Sequence, residues 1–266
     1  MSLGQQVAEH LPFLRRYARA LTGSQATGDT FVRATLEAAL ADDGVRDSLK
    51  DGRVPLYQAF NKVWSSAYME VTDSTQGAGS HEAAAQGKLR KVTPFNRQAL
   101  LLTTLEDFSI ADTASIMDVS EEDVERLIKE GIAEIDGESR TSVLIIEDEP
   151  LISMQLEDVV TGLGHEICGT AATRSQAAEV VAEKTPGLVL ADIQLADGSS
   201  GLDAVDDILA LGSVPVIFIT SFPERLLTGE RPEPTFLITK PYHEATVKAA
   251  ISQALFFNEP VDAAAQ

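Results

Sequence analysis

Four short apolar runs in the second half of the chain each end on a polar side chain. Ser142-Val-Leu-Ile-Ile146 leads into Glu147-Asp148-Glu149, and Gly187-Leu-Val-Leu-Ala191 into Asp192. Val214-Pro-Val-Ile-Phe-Ile219 leads into Thr220, and Phe236-Leu-Ile-Thr239 into Lys240-Pro241. With a further run at 165–169, the spacing predicts strands near 142–147, 165–169, 187–191, 214–219 and 235–239, separated by helical stretches. Five such βα units make a doubly wound, five-stranded parallel sheet, an α/β fold. Ligands and chemistry in an open parallel sheet collect at the carboxyl ends of the strands. Carboxylates, a hydroxyl and an ammonium converging on that edge suit a phosphoacceptor.

Each element alone has a plainer reading. An Asp after a buried strand is often a helix cap, Glu147-Asp148-Glu149 could be a solvated turn, Thr220-Ser221 an N-cap, and Lys240-Pro241 an ordinary helix start. Their joint order, each at a strand end, favours the site. Phosphoryl transfer to a carboxylate asks the protein for positioning and for a counter to the charge on the transferring oxygens. Magnesium, bound by hard oxygen ligands, supplies that counter-charge. Asp192 is the expected phosphoacceptor. Glu147, Asp148, Asp192 and the backbone carbonyl of Gln194 form the expected metal site, with Glu147 shaping the acidic nest. Lys240 would pair with the phosphoryl oxygens and Thr220 would donate a hydrogen bond to them.

The first half reads differently. Val7, Leu11, Leu14, Ala18 and Leu21 recur at helical spacing, as do Phe31, Ala34, Leu36 and Leu40, and a third helix is expected over 54–71 with Pro55 in its first turn. Thr72 to Ser80 is small, polar and glycine-rich, so 72–87 is expected to be a linker. A second helical group follows over 94–136. Ser109-Ile-Ala-Asp112 and Ser120-Glu-Glu-Asp123 each place a capping hydroxyl three residues before a carboxylate, giving helix, short turn, helix. The expected organisation is an all-α domain over 1–138 (1–71, linker 72–87, 88–138) and an α/β domain over 139–266.

Charge restricts what the helical half can do. The 266-residue chain has a formal net charge of −20. Residues 1–138 carry 14 basic and 22 acidic groups, and residues 139–266 carry 7 and 19. Neither half has the basic surplus of a DNA-bound domain. The segment 121–140 holds eight acidic residues against Arg126, Lys129 and Arg140. A recognition helix must approach phosphates, and this one would be repelled. The single cysteine, Cys168, cannot form an internal disulfide and is expected to be a buried thiol, which favours the cytoplasm. No signal peptide or membrane span is expected.

Residues 141–257 resemble a response-regulator receiver domain, through the acidic pair after the first strand, Asp192 after the third, Thr220 after the fourth and Lys240-Pro241 after the fifth. The resemblance implies magnesium-dependent phosphorylation of Asp192 by a histidine kinase or phosphotransfer protein, with no catalytic role beyond self-phosphorylation and self-dephosphorylation. Receivers usually carry an aromatic switch residue three positions before the lysine. That position is Leu237 here, and Phe236, one step earlier, is the candidate switch aromatic. Arg97-Gln-Ala-Leu-Leu-Leu102, Leu105-Glu-Asp-Phe-Ser109, Ala114 to Ser120 and Val124-Glu-Arg-Leu127 resemble region 4 of extracytoplasmic-function sigma factors. Leu14 to Thr22 and the Trp64 helix resemble region 2 more loosely.

Sigma-like domain first and receiver second is similar to the PhyR-type general stress response regulators. That resemblance implies partner switching: phosphorylation of Asp192 exposes residues 1–138, which sequester a NepR-type anti-sigma factor and release the true sigma factor. Three other readings stand beside it. One is a response regulator that reads promoter DNA through the helix-turn-helix, another a helix-turn-helix kept only as a structural bundle, and the third a stand-alone hydrolytic enzyme.

Overall fold

The computed structural model describes residues 3–75, 95–135, 140–195, 198, 200–209, 214–223, 226 and 236–258. They fall into two compact units, residues 3–131 and 132–258. Among the described residues no helix is long and apolar enough to cross a membrane.

The first unit is helical: α1 (Leu3–Thr22), α2 (Gln25–Ala41), α3 (Asp43–Ser48), α4 (Arg53–Thr75), α5 (Phe95–Leu100), α6 (Ile110–Met117) and α7 (Glu121–Ile135). Leu14, Ala18 and Leu21 of α1 are fully buried, as their spacing predicts. In α2 the buried face is not the expected one. Gly28, Val32, Thr35 and Ala39 turn inward, while Leu40 is 68% exposed. The cause is Gly28, where an added Cβ would lie 2.8 Å from the Arg19 backbone nitrogen. Small residues let α2 approach the α1 backbone, and the larger apolar side chains flank the contact. Helix α4 continues through Thr75, so 72–75 are helical rather than linker, and 76–87 lie outside the described residues.

Both expected capping boxes form. Ser109 Oγ accepts from the Asp112 amide at 3.0 Å and donates to its carboxylate at 2.8 Å; Ser120 does the same with Asp123 at 3.1 and 2.7 Å. Between them, Asp118 adopts a left-handed conformation (φ 57°) that ends α6. Before α6, a π-helical stretch over Leu101–Leu105 prolongs α5, with the Glu106 amide bonding to the Leu101 carbonyl at 3.1 Å.

The second unit alternates β1 (Ser142–Ile146), α8 (Pro150–Gly162), β2 (Glu166–Ala171), α9 (Arg174–Glu183), β3 (Leu188–Ala191), α10 (Gly201–Leu209), β4 (Val216–Thr220), β5 (Phe236–Thr239) and α11 (Glu244–Asn258). Every strand pair is parallel, in the order β2-β1-β3-β4-β5. The four residues of β3 are all buried and β1 is buried from Val143 onward, which is why these runs are apolar throughout rather than alternating. Cys168 is a buried free thiol.

Candidate phosphoacceptor site

The strand order reverses direction at β1, so the loops after β1 and β3 open on the same crevice. Ile146 is level with Ala191, which sets Glu147 and Asp148 beside Asp192. The Asp192 amide donates to the Ile146 carbonyl at 2.8 Å and fixes that alignment. Carboxylate oxygens of Glu147, Asp148 and Asp192 all lie within 4.8 Å of one another. Lys240 reaches in from the end of β5, and its ammonium donates to Glu147 Oε2 at 2.8 Å and to Asp192 Oδ2 at 2.7 Å. Glu149 Oε1 is 4.0 Å from the same nitrogen.

Burial pushes the Glu147 carboxyl above its ordinary range, against the pull of Lys240. Burial acts on Lys240 in the opposite sense, but its bonds to Asp192 and Glu147 outweigh it and hold the ammonium above its usual value. The lysine is therefore firmly cationic. Three carboxylates against one ammonium leave a surplus of two negative charges, on hard oxygen donors alone. That donor set fits a magnesium ion.

Thr220 is fully buried at the end of β4, level with Thr239. Its hydroxyl oxygen accepts from the Phe222 amide at 3.2 Å, which leaves its own proton available to an incoming acceptor. Gln194 is exposed, its amide donating to Asp192 Oδ1 at 3.2 Å. Phe236 is not with this group. It is level with Ile217 at the start of β5, three residues before Thr239, about 10 Å of strand away. Phe236, Leu237 and Ile238 of this edge strand are buried and Thr239 is half-buried, so Phe236 lies in the packed part of β5, away from its carboxyl end.

Two features were not anticipated from the residues. Gly201 opens α10 so close to the phosphoacceptor loop that an added Cβ would collide with the Asp192 carbonyl. A cavity of about 350 Å³ adjoins Lys240, walled by Glu149, Ile152, Gln155, Pro241 and Tyr242. Burial raises the Tyr242 hydroxyl, keeping it neutral. The glycine had a signal in the glycine-bearing loop 198–201; the cavity had none.

Three family models match the chain. Residues 7–61 match the Sigma2 domain of PhyR, residues 89–138 the sigma-like domain of response regulator PhyR, and residues 143–252 the response regulator receiver domain. The phyllosphere-induced regulator PhyR of Methylorubrum extorquens is 51% identical over 261 residues, 97% of this chain and 96% of that protein. The chain belongs to the PhyR family. Among solved PhyR structures, the response regulator PhyR of Brucella abortus is 46% identical, with a TM-score of 0.80 over 97% of this chain and 96% of that one. The anti-anti-sigma factor PhyR of Bartonella quintana is 47% identical, with a TM-score of 0.82 over 97% of both chains. The family is one of response regulators rather than of enzymes, and its receiver domains are of the kind that use magnesium for phosphorylation.

Proposed function

We propose that this chain is an anti-anti-sigma factor switched by phosphorylation of Asp192. The observation that carries the switch is the Asp192 carboxylate itself, held by Lys240 and flanked by two further carboxylates at the carboxyl edge of a parallel sheet. A carboxylate oxygen of Asp192 attacks the phosphorus of a phosphohistidine. The P–N bond breaks, its electron pair stays on the imidazole, and an acyl phosphate forms. Asp148, Asp192 and the Gln194 carbonyl would hold magnesium, which when bound offsets charge on the transferring oxygens. Lys240 leaves Glu147 to pair with the phosphoryl group, and the Thr220 hydroxyl donates its free proton to a phosphoryl oxygen.

The sigma-like part, residues 1–138, then takes up a NepR-type anti-sigma factor, and the genuine sigma factor is released. Partner binding can drive the switch only through its better affinity for the phosphorylated state. The α7 helix supports a protein partner over DNA. Arg126, one of its two cations, is tied to Asp123 at 2.8 Å and to Glu130 at 2.9 Å on its own helix. Glu121, Glu122 and Glu125 are exposed beside it.

The test is calorimetric titration of the full chain with a NepR-type anti-sigma factor, with and without magnesium plus beryllofluoride, alongside Asp192→Ala. Tight binding only with the phosphoryl mimic, lost in the variant, is the expected result. Equal binding in all samples would remove the switch. No binding to the partner, with salt-sensitive duplex DNA binding instead, would favour the promoter-reading alternative.

A further inference from the structure

The helical unit buries a charged cluster remote in sequence from everything the phosphoacceptor chemistry uses. Arg16 of α1 donates through Nε at 3.0 Å and Nη2 at 2.9 Å to Glu106 Oε1. Tyr57 of α4 donates its hydroxyl to Glu106 Oε2 at 2.7 Å. Arg16 also caps the Leu105 carbonyl at 2.9 Å. The Glu106 side chain is fully buried and that of Arg16 is 6% exposed. Burial raises Glu106, opposed by Arg16 and Tyr57, and burial followed by the Glu106 charge raises Tyr57.

This cluster joins the first helical group, through α1 and α4, to the second, which runs from α5 to α7. Around it, Arg53 donates to the Asp107 carbonyl at 3.0 Å and stacks 4.0 Å from the Phe108 ring centroid. Gln58 of α4 donates to the Ser115 hydroxyl oxygen at 2.8 Å. The backbone departs from regular helix on both sides of Glu106, with the π-helical stretch before it and left-handed Asp107 (φ 53°) after it. Such π-segments concentrate where a side chain must be delivered to a defined place.

Desolvation offsets most of what a buried ion pair gains, so stability does not explain the cluster. Specificity does. The surrounding rings of Tyr17, Tyr57, Phe60 and Phe108 are apolar surfaces that tolerate repacking. Any slide or rotation of one group against the other would strand Glu106 or Arg16 in that apolar setting, a costly state. Large exposed apolar side chains occur on both groups, Phe13 at 40% exposure and Phe95 at 47%.

We propose that Arg16, Glu106 and Tyr57 form a register lock that fixes the two sigma-like groups in one relative placement, and that the anti-sigma factor recognises a surface present only in that placement. The second clause rests on the functional reading above. Glu106 is thus a positioning residue that need not touch the partner.

The test replaces the lock with apolar side chains, Arg16→Met, Tyr57→Phe and Glu106→Leu together, in the full chain. Apolar replacement of a complete buried ionic cluster commonly keeps or raises stability. The variant should melt no lower than the parent and take up phosphate at Asp192 at the parental rate. With magnesium and beryllofluoride it should bind a NepR-type anti-sigma factor about tenfold or more weakly than the parent does. Spin labels at exposed Leu40 and Glu122, with Cys168 buried, read the placement directly. The distance distribution should be single in the parent and broadened in the variant. Glu106→Gln, which keeps the shape and loses the charge, covers the case in which the triple variant fails to fold, and should shift both readouts in the same direction. Parental affinity and a parental distance distribution in a folded variant would overturn the lock. A broadened distribution with parental affinity would overturn the recognition clause. Absence of binding by the phosphomimic-loaded parent would overturn the functional reading, while the label distance still decides the lock.

Discussion

The two buried ionic clusters of this molecule use the same kinds of groups to opposite ends. In the helical unit, Arg16 faces Glu106, with Tyr57 held neutral by its raised hydroxyl, and the charges cancel. In the receiver, Lys240 faces Glu147 and Asp192 with Asp148 beside them, and two negative charges remain over. A balanced cluster has nothing to ask of solvent and acts on the fold. An unbalanced one at the open edge of a sheet is a place for a cation and a phosphoryl group to arrive. Charge balance, more than burial, separates the structural cluster from the reactive one.

The largest effect expected from breaking this contrast is that of Glu106→Ala. It leaves Arg16 buried without a counter-charge and should cost about 4 kcal/mol in the unfolding of the helical unit, with no recovery on adding magnesium. Chemical denaturation followed by helical circular dichroism measures it. Lys240→Met should cost about 2 kcal/mol in the receiver, less because the site borders solvent, and magnesium should restore much of it by supplying the missing cation. If magnesium rescues neither variant, or both, the distinction drawn from charge balance fails.

Ser120→Ala lies outside both clusters and calibrates them. Loss of the cap at the start of α7 should cost about 1 kcal/mol, independent of magnesium.

The smallest effect is a slope with pH. Because burial raises Glu106, the folded state binds its proton more readily than the unfolded chain does. Its contribution therefore falls as pH rises from the ordinary glutamate range through the raised folded value, and is restored on acidification. Glu106→Gln should flatten that slope in urea titrations carried upward in pH from the ordinary glutamate range. A steeper slope in the variant would mean that Arg16 dominates the carboxyl and that the direction is wrong.

Much of the receiver was legible because its signals are local. A strand buried on both faces is a continuous apolar run, and the residue following it is delivered to the sheet edge, so Glu147, Asp148, Asp192, Thr220 and Lys240 follow from reading run ends. The capping boxes at Ser109 and Ser120 were equally local. Phe236 is the less local case: the sequence places it along β5, one step before the position counted back from the lysine, and the structure sets it level with Ile217, three residues before Thr239. The α2 face was misread because Gly28 and its neighbours are selected by the nearness of the α1 backbone, which apolar periodicity does not record. Helix α3 is a single short segment with no fully buried side chain, below what periodicity can detect. Glu106 was hidden most completely. An acidic residue followed by Asp107 looks like surface, and only contacts 90 residues away with Arg16 and 49 with Tyr57 bring it inside.

The π-helical stretch adds a consequence of a different kind. Its wide turn spends one residue more than an α-helix would in reaching Glu106. The two threonines within it, Thr103 and Thr104, return their hydroxyls to the Ala99 and Leu100 carbonyls. Removing one residue there would let the segment rewind as ordinary helix and keep the carboxylate's aim, whereas inserting one more would swing it by about 100° around the axis, with every cluster residue still present. The lock is thus written partly in chain length: a scan of substitutions would find its members, but only a scan of insertions would find the spacing that aims them.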